Sequence, residues 1–262
     1  MNYWRRMRLM KNFKFKQSWM LAGGLALLMG WQVSVAAESY LSEEDFYYED
    51  IGAELDIYDP FERVNRVTFE LNDFLYDYVM EPIATVYTTI APDPVEVAAT
   101  NFFDNLKYPV RLAGNLLQGR LRGAWVETGR FAINSTVGLA GIRRPADRIA
   151  AFAPIPAEDI GQAFGAWGIG EGPYLVLPLL GPSNVRDLGG LIADRAVNPL
   201  KEPYSLIRDW GWERELALEA TEFIATSPSK LSLYNRLKGE SIDPYSSMKN
   251  GFTQYRRSAV EE

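Results

Sequence analysis

A first helix is predicted to begin within Asp59-Pro60-Phe61-Glu62-Arg63-Val64-Asn65-Arg66. Asp59 suits the N-cap, Pro60 the first helical position and Glu62 the third. Apolar side chains then recur every three or four residues along one face, until Glu81-Pro82 is expected to end the helix. That face carries Phe61, Val64, Val67 or Thr68, Leu71, Phe74 or Leu75, and Tyr78.

Proline and glycine divide the rest of the chain into further predicted helices. They are expected at about 93–107, 109–119, 121–134, 183–197 and 204–225, with two short ones after Ser227 and after Asp243-Pro244. Extended backbone is indicated only by Pro173-Tyr174-Leu175-Val176-Leu177-Pro178, whose flanking prolines confine it to an edge or a loop. The predicted fold class is therefore all-α.

The composition excludes several kinds of site. The chain has 262 residues and contains neither cysteine nor histidine. It therefore has no disulfides, no thiolate or imidazole metal ligands, and no Ser-His-Asp or Cys-His catalytic group. Acidic side chains (34) outnumber basic ones (27), and six of the basic ones lie in residues 1–37. The strongly acidic remainder argues against a nucleic-acid partner held by phosphate contacts.

Residues 1–37 have the three-part pattern of a secretory signal peptide. Basic residues come first, an apolar run centred on 19–31 follows, and the small residues Ser34-Val35-Ala36-Ala37 suit cleavage before Glu38. An uncleaved N-terminal anchor is the alternative, since about 20 uncharged residues just reach across a bilayer. Both interpretations place the remainder outside the cytoplasm. We predict an acidic linker at 38–58, a helical domain at 59–257 and a tail at 258–262.

Motifs for catalysis are weak. Gly168-Ile169-Gly170-Glu171-Gly172 begins like a dinucleotide-binding fingerprint, but Pro173 takes the last glycine position and no flanking strand is visible. Glu158-Asp159 and Arg186-Asp187 could supply paired carboxylates for a glycoside hydrolase. Buried ion pairs that fix the orientation of the helices, formed by Arg186-Asp187 with Asp194-Arg195, explain these residues more simply. We predict no catalytic residue and no metal site.

An apolar run at 174–180 lies where the pattern predicts loop or edge strand. Two interpretations stay open: it plugs the core, or it faces lipid. The candidates for contact with a membrane are Tyr174, Leu175, Leu177, Leu179 and Leu180.

Several collinear motifs resemble the MlaA (VacJ) family, outer-membrane components of a system that maintains lipid asymmetry. The segment at 59–66 is similar to the family's opening signature, and the likeness extends to about residue 257. The other matching motifs include Asn101-Phe102-Phe103-Asp104-Asn105-Leu106, Asn115-Leu116-Leu117-Gln118-Gly119, Arg130-Phe131-Ala132-Ile133-Asn134-Ser135-Thr136-Val137-Gly138, Glu158-Asp159-Ile160-Gly161-Gln162, Gly170-Glu171-Gly172-Pro173-Tyr174, Gly181-Pro182-Ser183, Asp243-Pro244-Tyr245 and Gln254-Tyr255-Arg256.

The resemblance implies a ring-like helical domain embedded in the outer membrane, with a short apolar hairpin and a central amphipathic channel. Phospholipid would leave the outer leaflet through this channel toward the periplasm. The implied partners are phospholipid, an outer-membrane porin trimer and a soluble periplasmic lipid carrier (MlaC), with no cofactor and no covalent chemistry. A structural, porin-associated envelope protein without a lipid channel is the alternative.

A route for lipid must be apolar for the acyl chains and polar for the headgroup, because each CH₂ exposed to water costs about 0.8 kcal/mol. The polar side of the first helix and the stretch after residue 136 supply the candidates for this lining. They are Asn65, Arg66, Asn72, Asp73, Val137 and Leu139. Gly138 and Gly141 are expected to act as hinges of the apolar hairpin.

Two features depart from the family. Typical members carry a lipidated cysteine after the signal, and this chain has no cysteine. We therefore expect a protein of the outer membrane, on its periplasmic side, that is not a lipoprotein. Its attachment would come from apolar surface, porin contact or an N-terminal helix. The second departure is Arg143-Arg144-Pro145, where the family usually has an apolar residue and an acid.

Overall fold

The computed structural model describes residues 56–199, 212–239 and 241–261. The predicted signal or anchor at 1–37 and nearly all of the acidic linker at 38–58 lie outside the described residues. So does the first part of the helix expected at 204–225. Within the described ranges the chain is mostly helical, with a two-stranded β-hairpin.

Helices α1 to α9 are, in chain order, Glu62–Leu75, Glu81–Ile90, Asp93–Leu106, Tyr108–Leu117, Leu121–Thr136, Ile160–Ala166, Val185–Val197, Trp212–Gly239 and Pro244–Glu261. Helices α1 to α5 follow one another with connections of at most five residues. Strands β1 (Tyr174–Leu177) and β2 (Gly181–Asn184) pair antiparallel. The helices predicted near 93–107, 109–119, 121–134 and 183–197 are confirmed within a few residues, and β1 is the predicted extended segment. The second strand was not predicted.

The start of α1 differs from the prediction. The helix begins at Glu62, with Phe61 at the N-cap and no side-chain capping bond. The carboxylate of Asp59 instead accepts hydrogen bonds from Asn65 Nδ2 at 2.8 Å, from the Tyr245 hydroxyl and from Lys249 Nζ at 3.2 Å. The predicted N-cap is therefore wrong. Asp59 ties the start of the domain to α9.

Pro82 does not end the first helical segment. A π-helical turn, Tyr76–Met80, joins α1 directly to α2, and the backbone N–H of Glu81 donates to the carbonyl of Tyr76. Pro82 falls at the start of α2, where a missing N–H costs little. The wider π-turn thus restarts the helix around the proline, and the segment continues to Ile90.

Pro228 likewise lies inside α8 without ending it. A proline removes the N–H that would bond to the carbonyl four residues earlier, which here is the carbonyl of Ile224. The hydroxyl of Ser227 donates to that carbonyl at 2.9 Å. Because the freed acceptor is satisfied, one helix replaces the two that were predicted on either side of residue 226.

The apolar core consists of small separate clusters. Tyr76, Met80 and Ala84 pack against residues of α8, and Tyr76 stacks on Tyr234 with ring centroids 4.2 Å apart. A second cluster joins the β-hairpin to α9 and contains Tyr174, Val176, Tyr245 and Phe252. No helix in the described part of the chain is both long enough and apolar enough to cross a membrane.

Candidate functional site

Helix α1 exposes its apolar face. Val64 and Val67 are 65% and 66% exposed, and Leu71, Phe74 and, on the following π-turn, Tyr78 are also exposed. We call these five side chains the α1 stripe. The polar residues Asn65 and Asn72 on the other side of the helix are only 2% and 4% exposed. The periodicity correctly predicted an amphipathic helix, but the face that enters the protein is the polar one.

Exposed apolar side chains continue beyond α1. On the other helices they include Val86, Ile90, Val95, Val97, Leu116, Leu117, Leu121, Trp125, Val185 and Ile192. Among the described residues, buried polar and charged side chains outnumber buried hydrophobic ones. Soluble proteins seldom leave so many large apolar side chains on their surface unless these meet a membrane or a partner.

Asn65 and Asn72 hold the β-hairpin against α1. The Asn65 amide donates to the Tyr174 carbonyl at 3.0 Å and accepts from the Val176 N–H at 2.9 Å. The Asn72 amide donates to the Leu177 carbonyl at 2.9 Å and accepts from the Leu179 N–H at 2.7 Å. These two residues were predicted to line a lipid channel. They are enclosed, and their amides serve the hairpin backbone, so that prediction is corrected.

Arg66 and Asp73 keep partly exposed side chains and have partners within the protein. Arg66 forms two hydrogen bonds to Asp243, at 3.0 and 3.2 Å, and lies over the Tyr245 ring. The hydrogen bonds from Arg66 lower the pKa of Asp243 to about 2. Asp73 accepts from the Tyr234 hydroxyl at 2.7 Å and pairs with Lys238 Nζ at 2.6 Å. Their place in a channel lining stays a prediction.

The turn after α5 presents apolar side chains outward. Val137 is 70% and Leu139 60% exposed, and Leu139, Ala140 and Gly141 have left-handed φ values of 57°, 59° and 95°. Gly138 is required for another reason, because a Cβ there would overlap the carbonyl oxygens of Asn134 and Arg143. Gly138 therefore sits in tightly packed backbone, and Gly141 packs against the Asn105 side chain. Hinge motion at this turn stays a prediction.

Most of the apolar run at 174–180 lies within the protein. Tyr174 is 2% exposed and contacts the rings of Tyr245 and Phe252 edge-on. Its assignment as a membrane-facing residue is therefore wrong. Leu175, Leu177, Leu179 and Leu180 are half-buried. The core interpretation of the run holds for Tyr174 and for Val176.

A buried charged cluster joins α6, α7 and α9. Arg256 on α9 donates to both oxygens of Asp159, at 2.6 and 3.1 Å, and to both oxygens of Asp187, at 2.8 and 3.0 Å. Arg186 also pairs with Asp187, at 2.8 Å, as predicted. Asp194, predicted to belong to an ion pair, instead accepts from the backbone N–H of Ile160 at 3.0 Å. Sequence reasoning missed Arg256, whose only signal was its place in a matching motif.

The pKa values of Asp187 and Asp194 are shifted in opposite directions. Burial opposes ionisation of Asp187, but Arg256 and then Arg186 outweigh it and lower its pKa. Burial, followed by the neighbouring Asp159 carboxylate, raises the pKa of Asp194 well above its usual range. A cavity of about 40 Å³ beside them is lined also by Leu177 and Leu180. It has room for a few water molecules.

These contacts explain the buried carboxylates as structural groups. Glu158, which with Asp159 was a candidate for hydrolase chemistry, accepts from Gln118 Nε2 at 2.6 Å and pairs with Arg120. No three acidic side chains in the described ranges are arranged to hold a metal ion. The features that stand out are therefore the exposed apolar surface and the polar interior, and neither resembles a catalytic centre.

Comparison with known proteins identifies relatives along most of the chain. The model of one family, described as "MlaA lipoprotein", matches residues 57–259. The "Intermembrane phospholipid transport system lipoprotein MlaA" of Escherichia coli K12 is 28% identical over 203 residues, which cover 75% of this chain and 76% of that protein. An uncharacterized protein of Rickettsia bellii is 28% identical over 227 residues, which cover 85% of this chain and 86% of the relative.

A solved structure is also similar. It is described as "Structural basis for maintenance of bacterial outer membrane lipid asymmetry" and matches with a TM-score of 0.62 and 27% sequence identity. The match covers 77% of this chain and 98% of the solved chain. The helical fold described above is thus shared with a protein studied for its part in lipid asymmetry.

Proposed function

Because the chain belongs to the MlaA family, we propose that it transports phospholipid in a bacterial cell envelope. It lies in the outer membrane, on the periplasmic side, and serves as a passive conduit. Phospholipid that has reached the outer leaflet passes through it to a periplasmic carrier of the MlaC kind, which maintains lipid asymmetry. A porin trimer is its proposed neighbour in the membrane. The names of the Escherichia coli relative and of the similar structure support this assignment.

The observation that carries the proposal is the inverted polarity of α1. The α1 stripe is exposed, while the polar side of the same helix is buried. Each stripe residue loses on the order of 1–2 kcal/mol of burial free energy if it faces water. The acyl region of a bilayer removes that cost for a helix that lies in the interface. The α1 stripe therefore supports attachment through apolar surface, which needs no lipidated cysteine.

The conduit itself is proposed beside the apolar turn after α5. Val137 and Leu139 point outward there, and acyl chains that touch them avoid the cost of about 0.8 kcal/mol for each CH₂ in water. Arg66 and Asp73 are the polar candidates that keep partial exposure. Transport of this kind makes and breaks no covalent bond and needs no catalytic carboxylate. This agrees with the contacts of the buried acids, which hold helices together.

Transfer between vesicles tests this function. Donor vesicles carry the purified chain and a fluorescent phospholipid, and appearance of the lipid in acceptor vesicles is followed with time. We expect a rate that increases with the amount of protein. Leu139→Asp should remain folded and bound to vesicles but slow transfer, because a charge on an apolar path is costly. Ile242→Asp, at an exposed position outside the proposed path, should transfer lipid at the wild-type rate.

Two results would contradict the proposal. Vesicle binding without any transfer by the wild type would favour the structural, porin-associated alternative. Transfer by a folded, vesicle-bound Leu139→Asp protein at the wild-type rate would remove the turn from the path.

A further inference from the structure

Charged side chains beneath the apolar turn form a balanced network. Three guanidinium groups meet three carboxylates there, with separations from 2.7 to 3.7 Å. The members are Arg111, Arg130, Arg144, Asp104, Glu127 and Asp147. Because the charges balance, this network needs no external ion.

Arg143 and Arg148 lie on the same segment but outside this network. Both are exposed, and neither has an ion-pair partner among the residues that the structure describes. Their backbone is held in place: Gly141 N–H donates to the Asn134 carbonyl at 2.8 Å, and Ala146 N–H donates to the Asn134 side chain at 3.1 Å. Two guanidinium groups are therefore presented to the surroundings from a fixed segment.

These arginines flank exposed apolar side chains. Val137, Leu139, Ile142 and Ile149 are all exposed in the same segment. This surface places apolar side chains next to fixed positive charges. A phospholipid has the complementary arrangement, because its acyl chains adjoin its negatively charged phosphate. Guanidinium groups bind phosphate with two parallel hydrogen bonds and give up hydration more easily than an ammonium group does.

We propose that Arg143 and Arg148 bind the phosphate of anionic phospholipid headgroups beside the apolar turn, and so give the chain a preference for anionic over zwitterionic lipid. This inference rests on the proposed function and adds the lipid class. The chain has more acidic than basic side chains, so its overall charge repels an anionic surface. Attraction must then come from a local site, because charges farther away than about 8 Å are largely screened at physiological salt.

Vesicle flotation tests the preference separately from transport. Vesicles of phosphatidylcholine alone are compared with vesicles of equal parts phosphatidylcholine and phosphatidylglycerol, for the wild type and for R143Q/R148Q. The control is R122Q, which removes another exposed arginine, on α5, without an ion-pair partner in the described ranges. The wild type should bind the anionic vesicles more tightly, and R143Q/R148Q should reduce that binding by roughly tenfold. The control should keep the wild-type preference.

The proposal is overturned if R143Q/R148Q keeps the wild-type preference, if the control loses as much, or if the wild type shows no preference. Circular dichroism spectra that match the wild type establish that each variant is folded. The proposed transport function is judged by the transfer assay alone, so a wild type that binds anionic vesicles through these arginines but transfers no lipid would contradict transport and leave the headgroup site supported.

Discussion

Two regions of the chain both depart from the usual arrangement of polar and apolar side chains, one at the surface and the other in the interior. On α1, large apolar side chains remain on the surface and two asparagines enter the interior. Between α6, α7 and α9, the interior holds Arg256, Asp159 and Asp187 with only a few per cent of each side chain exposed. One region lacks the apolar burial expected of a soluble helix, and the other buries charge where an apolar core is expected.

The difference shows what holds each region in place. Arg256, Asp159 and Asp187 are paired with one another, so their cohesion is electrostatic and depends on keeping these pairs. The α1 stripe has no covering element among the described residues, so its stability depends on the surroundings of the protein. Folding of the interior and attachment of the surface should therefore respond to different substitutions.

Removal of Arg256 should have the largest effect. Arg256→Met leaves Asp159 and Asp187 buried without their shared cation, which should cost about 3–5 kcal/mol in the free energy of unfolding. Arg257→Met removes the neighbouring and more exposed pair with Glu171 and should cost about 0–1 kcal/mol. Urea unfolding in detergent measures both. Equal losses for the two variants would show that the buried cluster does not hold α6, α7 and α9 together.

Adjacent substitutions on α1 should have opposite outcomes. Asn65→Leu leaves the Tyr174 carbonyl and the Val176 N–H without partners and should cost about 1–3 kcal/mol of stability for each lost partner. Val64→Asn changes an exposed position and should stay within about 0.5 kcal/mol of the wild type in detergent, while it weakens binding to vesicles. Should Val64→Asn destabilise the fold more than Asn65→Leu, α1 would have to face the other way.

The charged region should also show a pH dependence that the α1 stripe lacks. The pKa of Asp194 is raised in the folded state, so the folded protein holds this proton more tightly than the unfolded chain does. Its contribution to stability is full below the usual aspartate pKa and is lost as pH rises through the folded value. Asp187, with a lowered pKa, contributes in the opposite sense and loses its contribution as the pH falls.

Asp194→Asn isolates the first effect. The amide oxygen can still accept from the Ile160 N–H, but no proton is gained or lost. The decline in unfolding free energy with rising pH, measured by urea unfolding over a pH series, should be shallower in this variant than in the wild type. An unchanged pH profile would mean that Asp194 does not titrate as its buried position implies.

Local patterns predicted most of the helices, but not α6 (Ile160–Ala166). The spacing of apolar residues along α1 and the proline and glycine boundaries near 93, 109, 121 and 197 are set by neighbours in the chain. The helix ends predicted near Pro82 and Pro228 were wrong because a π-turn offsets the effect of Pro82 and the Ser227 hydroxyl offsets that of Pro228. Neither of these compensating features has a signature in the sequence. Strand β2 was missed because the hairpin it completes is fixed by Asn65 and Asn72 of α1, more than 100 residues earlier in the chain.

The direction in which α1 faces could not be predicted from its own pattern. An amphipathic helix has the same periodicity whether its apolar side meets a core or a bilayer. What decides the matter is where the asparagines find partners, and those partners are backbone groups of the hairpin. The role of Arg256 was not predicted for a similar reason, since its hydrogen-bond acceptors Asp159 and Asp187 are 97 and 69 residues away in the chain.

A spin label on α1 shows whether the α1 stripe lies in lipid. Because the chain has no cysteine, Val67→Cys and Glu62→Cys each give one labelling site, on opposite sides of the same helix. In vesicles, oxygen concentrates in the acyl region and should increase the relaxation rate of the label at residue 67. A water-soluble nickel complex should instead increase the relaxation rate of the label at residue 62. If both labels respond mainly to the nickel complex while the protein is bound to vesicles, the α1 stripe faces water and does not lie in lipid.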